Sequence, residues 1–505
     1  EIASCLVGSE MCIRDRSVAW EASSGSSDAT NVHYRGFPSG QFHSSNYAAE
    51  IYEKPSRTEG TSRMVSAWAT GNYTWNDIYL ADFSVRFDGS SDFGSKQRWA
   101  PFFSGGLGVN IHNYEFLKGN EMVNKLKVRA SYGRTGKASF PAYAATTMYE
   151  ALFDEWYATG FGAVLKALGN NNLTWEKTDK FNVGIEMQFL NRRLTVDADY
   201  YHDKTIDLVN DVSLSQTSGF SSYKDNMGEV LNQGFELQVR GEVFRNRDWL
   251  VALWGNMAHN KNKILKISDS QRAYNQRVKE FYENIVNEEY GRYNSKYGVP
   301  ISQYEEGQSL TSIWAVKSLG IDPTTGKEIF LNRDGSVSDT WNATQEVAVG
   351  NTEPKFNGSI GFNAAYKQWS LFAAFQYEWG GQEYNQTLVD RVENARIQYQ
   401  NVDLRVLTDR WKQPGDIAQF KDIKNADSAT MPTSRFVQDK AYLRLSALTL
   451  SYDFNREWIK KYLGMNMLRL EASTRDFINW NSIRQERGLS YPKSWTVDFS
   501  IKAQF

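Results

Sequence analysis

The chain has 505 residues, with 57 Lys and Arg against 59 Asp and Glu, a formal net charge of -2, and 14% aromatic residues including 16 Trp and 27 Tyr. That balance excludes the strongly basic surface needed to bind nucleic acid. No stretch of about twenty apolar residues occurs, which excludes transmembrane helices but not a membrane barrel, whose alternating strands average to a polar hydropathy.

The first sixteen residues, EIASCLVGSEMCIRDR, hold both cysteines, Cys5 and Cys12. They do not form a secretory signal, because Glu1 is acidic, the apolar run stops at Val7, and Arg14, Asp15 and Arg16 follow. Nor do the cysteines have metal-ligand spacing. The run LVGSEMCIRD instead resembles one reading frame of a short-read sequencing-library adapter. The expectation is therefore that residues 1–16 are an adapter artefact, that the biological chain carries no cysteine, and that its natural start is cut off. Residues 17–62 then read as a barrel loop or partial strand, and residues 63–505 as barrel.

From there a period of two dominates. Phe181, Val183, Ile185, Met187 and Phe189 alternate with Asn182, Gly184, Glu186 and Gln188, and Leu194, Val196, Ala198 and Tyr200 alternate with Thr195, Asp197 and Asp199. The pattern recurs at Tyr79–Asp88, Leu126–Gly133, Phe235–Val243, Leu468–Arg475 and Trp495–Phe505. Strict alternation means one apolar and one polar face per strand. About thirteen or fourteen such strands are predicted. They run to about ten to twelve residues, longer than sandwich strands and matched to a tilted membrane span.

Connections alternate in size. Tight turns fall at Trp75–Ile78, Leu190–Arg193, Arg245–Asp248 and Tyr366–Trp369. Long polar loops fall at Thr135–Thr178, Lys204–Leu231, Lys261–Thr311 and Gly380–Lys440. Short turns on one side and long loops on the other is the build of an outer-membrane barrel. Trp75, Tyr79, Trp249, Trp369 and Trp379 sit at strand ends, where interfacial girdles place rings. Gly105-Gly106-Leu107-Gly108 precedes no helix, so it reads as close strand packing or a bend and not as a phosphate loop. His33, His43, His112, His202 and His259 form no zinc pattern. Asp197 and Asp199 share a strand face, but on a barrel that face is the polar lumen and not a glycosidase pair.

The last strand puts Trp495, Val497, Phe499, Ile501, Ala503 and Phe505 on one face. A terminal strand carrying Phe499 and Ile501 and ending on Phe505 resembles the assembly signal of outer-membrane proteins.

Several stretches together resemble the C-terminal part of a SusC/RagA-type TonB-dependent outer-membrane transporter. Arg86–Ser91 with Phe93-Gly94 and Arg98-Trp99 is similar to the family's RxDGSSxFG…RW, and Leu126–Gly136 to LKxRxSYGxTG. Leu173–Thr178 matches LxWExT, Asn226–Glu236 matches NxGxxxNxGxE, and Tyr442–Leu450 matches YLRLxxLxL. The resemblance implies an all-β, antiparallel transmembrane barrel, here incomplete at 13–14 of the family's 22 strands and without its plug domain. It also implies outer-membrane localisation in a Bacteroidota-like bacterium and TonB-dependent import of an oligosaccharide or peptide ligand. The implied partners are a SusD-like surface lipoprotein, the TonB complex reached through the missing N-terminal region, and outer-membrane lipid. No cofactor and no catalytic residue are implied. The family's acidic DxNGDG loop is thinned here to Asp322-Pro323-Thr324-Thr325-Gly326-Lys327, so no cation site is carried over. Loop aromatics such as Trp156, Tyr157 and Trp341 are the candidate sugar-stacking residues. The competing reading is a soluble, secreted β-rich protein that binds or cleaves glycans; it leaves the long strands and the asymmetric connections unexplained.

Overall fold

The computed structural model describes residues 3–504 apart from 8–9, 39–43, 54, 94–97, 138–144, 159, 171, 214–221, 227, 288–297, 396, 398–401, 426–429 and 484–495. Its frame is one 16-stranded antiparallel sheet. Along the sheet the strands are β1 (Ala3–Val7), β2 (Glu10–Asn31), β3 (Ser56–Trp75), β4 (Tyr79–Ser90), β5 (Trp99–Asn110), β6 (Val123–Lys137), β7 (Glu176–Phe189) and β8 (Leu194–Ile206). They continue as β9 (Glu229–Arg245), β10 (Trp249–Lys266), β11 (Phe356–Tyr366), β12 (Trp369–Tyr384), β13 (Val437–Asp453), β14 (Met467–Arg475) and β15 (Thr496–Gln504). A short strand, Asn479–Asn481, also pairs with β13 beyond the end of β14. Each strand pairs with its sequence neighbours, and among the described residues β1 and β15 are the two free edges, so the sheet does not close on itself.

The turns form where expected, for a backbone reason. The β3–β4 connection holds Asn76 and Asp77 at positive φ, and the β7–β8 connection does the same with Leu190, Asn191 and Arg192. Asn and Asp tolerate that left-handed region best because their short polar side chains bond locally. All the short connections lie at one end of the sheet. At the other end the strands are longer than their hydrophobic pattern: β3 has 20 residues, β10 has 18, and β9 and β13 have 17 each. A strand end with both faces in water needs no apolar side, so the hydrogen-bond ladder continues past the alternating pattern.

The region 17–62 contains most of β2, which pairs with β3 from Cys12↔Trp75 to Asn31↔Ser56. The adapter-like residues share this ladder. Backbone pairing is indifferent to side-chain origin, so the ladder says nothing about their source.

Glycines in the strands make room for rings. A Cβ on Gly71 would stand 2.3 Å from the Phe83 ring, and one on Gly106 would stand 2.4 Å from the Asp82 carboxylate. The Gly105–Gly108 run lies within β5, where Gly106 and Gly108 sit close against Asp82 and Leu80 of β4 and Gly105 does not.

Candidate functional site

The two faces of the sheet differ sharply. Phe83, Val85 and Phe87 of β4, Leu107 of β5, Leu253 of β10, Ile360 of β11, Leu450 of β13 and Leu470 of β14 are all exposed. A water-soluble sandwich buries this face against a second sheet, whereas a membrane barrel leaves it to lipid.

The opposite face is a network of charges. Glu186 of β7 accepts from Lys125 at 2.5 Å and lies 3.3 Å from Arg129 and 3.7 Å from Lys127, all three on β6. Arg129 also reaches Asp199 of β8 at 2.6 Å. Asp199 is therefore ion-paired, and Asp197 beside it lines a polar cavity of about 310 Å³ with Glu236, Gln238 and Asn256.

At the long-loop rim the sequence motifs meet. Phe93 stacks on Trp175 at 4.2 Å, Phe102 meets the same indole edge-on at 5.4 Å, and the Trp175 N–H donates to the Arg98 carbonyl at 3.2 Å. The Asn226 amide group donates to the carbonyls of Thr174 and Asp207 and accepts from the Thr174 N–H at 2.8 Å. Gly136 has no room for a Cβ, because the Phe102 ring would lie 2.0 Å away. These motif residues pin the loop bases to the sheet.

Above the rim, the connections 267–355 and 385–436 fold into one body. Helix α1 (Asp269–Asn287) begins in a capping box: Ser268 Oγ accepts from the Gln271 N–H, and Gln271 Oε1 accepts from the Ser268 N–H. Its Tyr274, Val278 and Tyr282, four residues apart, pack on Val316, Phe330, Trp341 and Met431. A second core gathers Leu388, Val389, Val392, Val406, Phe420 and Phe436. Arg435 joins the two connections, reaching Glu328 at 2.8 Å and the fully buried Glu393 at 2.7 Å. Burial works against its charge, but the two carboxylates hold Arg435 firmly protonated. Glu346, also fully buried, has the opposite fate. Burial pushes its carboxyl up to about 8, against the opposing pull of the Gln303 amide; Oε1 has no hydrogen-bond partner.

Where this body meets the end of β12 lies a cavity of about 470 Å³ lined by Pro300, Ile301, Trp314, Thr352, Tyr384 and Gln386, among others. Trp314 is 2% exposed and its indole N–H has no acceptor; Gln386 Oε1 is likewise buried without a donor. Neither residue stands out in the sequence: Trp314 lies just past the predicted Lys261–Thr311 loop, and Gln386 lies within the predicted Gly380–Lys440 loop. The capping box before α1 and the Tyr274–Val278–Tyr282 spacing were legible signals of a helix within that loop.

The predicted stacking residues are distributed differently from expectation. Trp341 is buried, meets Tyr282 edge-on at 5.4 Å and donates its N–H to the Pro432 carbonyl at 2.9 Å, so its ring is part of the loop core and not of a ligand surface. Trp156 and Tyr157 end the strand Met148–Tyr157 of a rim hairpin, with Trp156 opposite Phe161; their side chains lie outside the described residues. Phe499 and Ile501 point out of the apolar face of β15, exposed by 81% and 71%. Phe505 lies outside the described residues. Among the described residues no three His, Cys, Asp or Glu side chains are disposed to hold a metal ion.

The sequence profile of the "TonB dependent receptor-like, beta-barrel" family matches residues 15–473. The chain belongs to that family. This TonB-dependent receptor barrel is 27% identical to TonB-dependent receptor P3 of Formosa agariphila over 434 residues, 85% of this chain and 42% of the relative. It is 32% identical to the TonB-dependent receptor SusC of Bacteroides thetaiotaomicron over 252 residues, 47% of this chain and 25% of SusC. The chain thus spans less than half the length of these curated relatives. The RagAB peptide importer in its "open-open" state shares its fold, with a TM-score of 0.78 at 22% identity over 98% of this chain and 54% of that one. The receptor is an outer-membrane protein of the SusC/RagA type, and its exposed apolar face is the surface that such a protein turns to lipid.

Proposed function

We propose that this receptor barrel serves the TonB-dependent import of oligosaccharides or peptides, with a SusD-like lipoprotein seated over the loop end. The observation that carries the reading is the cavity of about 470 Å³ at the loop end, where Ser302, Thr311, Thr352 and Gln386 line the same space as Pro300, Ile301 and Trp314. Hydroxyl and amide side chains beside apolar ones suit a neutral ligand that carries hydroxyls or amides, as sugars and peptides do. Trp156 and Tyr157 are the proposed sugar-stacking residues, and Phe499, Ile501 and Phe505 serve as the assembly signal. The relatives named SusC and RagAB support a nutrient importer and its paired lipoprotein.

The test is uptake by a deletion strain complemented with wild type or Trp314→Phe, using fluorescent oligosaccharide and oligopeptide pools. One pool should accumulate only with the receptor present and the inner membrane energised. Trp314→Phe trims the wall of that cavity by the five-membered ring of the indole and should weaken uptake affinity by about fivefold to tenfold. Uptake of neither pool, or uptake that survives loss of the proton-motive force, sinks the reading. Co-purification of a surface lipoprotein tests the partner.

A further inference from the structure

Two connections at the short-turn end are longer than a tight turn: residues 111–122 between β5 and β6, and the stretch between β13 and β14. Between β13 and β14 the chain folds into helix α2 (Arg456–Leu463). The Asn455 side chain caps its start, accepting from the N–H groups of Glu457 at 2.9 Å and Trp458 at 3.3 Å, and Gly464 at φ 67° ends it. Ile459 is 1% exposed and anchors the helix to the rest of the protein. Trp458, Tyr462 and Leu463 point away, exposed by 48%, 64% and 44%. A helix of eight residues with three large exposed apolar side chains is a poor design for a water-facing turn.

The rings are not isolated. On the apolar face Trp369 packs against Tyr452 at 4.8 Å, and Tyr452 meets Phe454 edge-on at 5.0 Å. Phe454 then stacks on Trp458 at 6.2 Å, and Trp458 meets Tyr462 at 5.8 Å. One unbroken row of rings therefore runs off the lipid-facing side of β12 and β13 onto α2. Continuity with that face sets the occupant: the surface α2 presents is the continuation of a surface that touches lipid. Lys460 and Lys461 flank the row, exposed and without a carboxylate partner among the described residues; Lys461 Nζ lies 5.2 Å from the Tyr462 ring centre. Aromatic and aliphatic groups on one side with lysines at their edge is the composition of a helix that lies in a membrane interface.

We infer that α2 is a headgroup clamp for anionic phospholipid. Short turns face the periplasm in barrels of this build, so the leaflet in reach is glycerophospholipid. Trp458, Tyr462 and Leu463 sink to the headgroup boundary, and the two ammonium groups take the phosphate. The clamp is independent of which substrate the receptor imports and holds even if the proposed substrate classes are wrong.

The complete protein in phosphatidylcholine nanodiscs, with and without phosphatidylglycerol, tests this. The emission of Trp458 is isolated as the difference between wild type and Trp458→Phe. It should be blue-shifted, shielded from iodide and quenched by lipid brominated near the headgroup. Phosphatidylglycerol retained through detergent extraction should bind about fivefold more weakly for each lysine removed in Lys460→Gln and Lys461→Gln. A red-shifted, iodide-quenched difference spectrum overturns the inference. So does unchanged phosphatidylglycerol retention in the double lysine variant, even with the rings in lipid, because the clamp is then only an aromatic belt. Heat-modifiable gel migration checks that each variant is folded; all keep Asn455 and Ile459.

Discussion

Glu346 shows what a single buried group does to the loop body. Its carboxyl is pushed up from the ordinary value of 4.5 to about 8 by burial, so the fold accommodates the neutral acid and pays to hold the anion. A raised folded value means that this contribution to stability is fully present below about 4.5 and is lost as pH rises through about 8. Thermal scans from mildly acidic to alkaline pH should show the loop body weakening across that window, and Glu346→Gln should flatten the dependence while keeping an amide for Gln303. A slope that survives the substitution assigns the effect elsewhere. Lys421, pushed down to about 8 by burial, also titrates near the upper end of the window, which is why the comparison with Glu346→Gln is needed. None of this was legible in the sequence, where Glu346 is one acidic residue in a polar stretch. Burial depends on which distant segments cover a side chain.

At the scale of elements, strands and turns were readable and the loop body was not. Alternation over Phe181–Phe189 and Leu194–Tyr200 predicts β7 and β8, and the pairing Phe181↔His202 to Phe189↔Leu194 bears it out. The turn residues Asn76, Asp77, Asn191 and Lys367 sit at positive φ where short connections were expected. The loop ends were set too early, with Lys261 and Gly380 placed in loops although β10 runs to Lys266 and β12 to Tyr384. Hydrophobic pattern marks where a strand leaves the bilayer, and pairing continues beyond it. The loop body coheres through contacts remote in sequence, among them the buried pairing of Arg435 with Glu328, 107 positions away from it. Removing one partner of a buried pair leaves the other charge uncompensated, at a cost of about 3–5 kcal/mol. Arg435→Gln should therefore release the connections 267–355 and 385–436 from each other, seen as faster proteolysis within them, while the sheet below keeps its heat-modifiable migration. Protection at the wild-type level would show that the hydrophobic cores alone hold the loops together.

For the whole molecule the distinction between faces matters most. Phe499 and Ser500 are neighbours on β15, one on the apolar face and the other opposite Glu471 on the polar face. A cation on the lipid face near the bilayer midplane costs about 2–4 kcal/mol, whereas the lumen tolerates it. Phe499→Arg should lower folding yield into liposomes, and Ser500→Lys should not, as read by urea-dependent gel shift. Equal effects from both would mean that the apolar face does not meet lipid. The same asymmetry argues against the soluble glycan-binding alternative, since its strands would need a second layer that the described residues do not provide.

The sequence by itself determined the class of fold, the end of the sheet that carries the turns and the family, because period-two alternation and turn chemistry are local properties that any segment displays alone. It also supplied the motif residues Phe93, Trp175 and Asn226, though not their task. Only tertiary structure decided that these residues pin the rim, that Trp341 is core while Trp314 lines a cavity, and that the ring row continues onto α2. Each of those facts depends on which remote segments come together, and residue spacing along a chain carries no record of that.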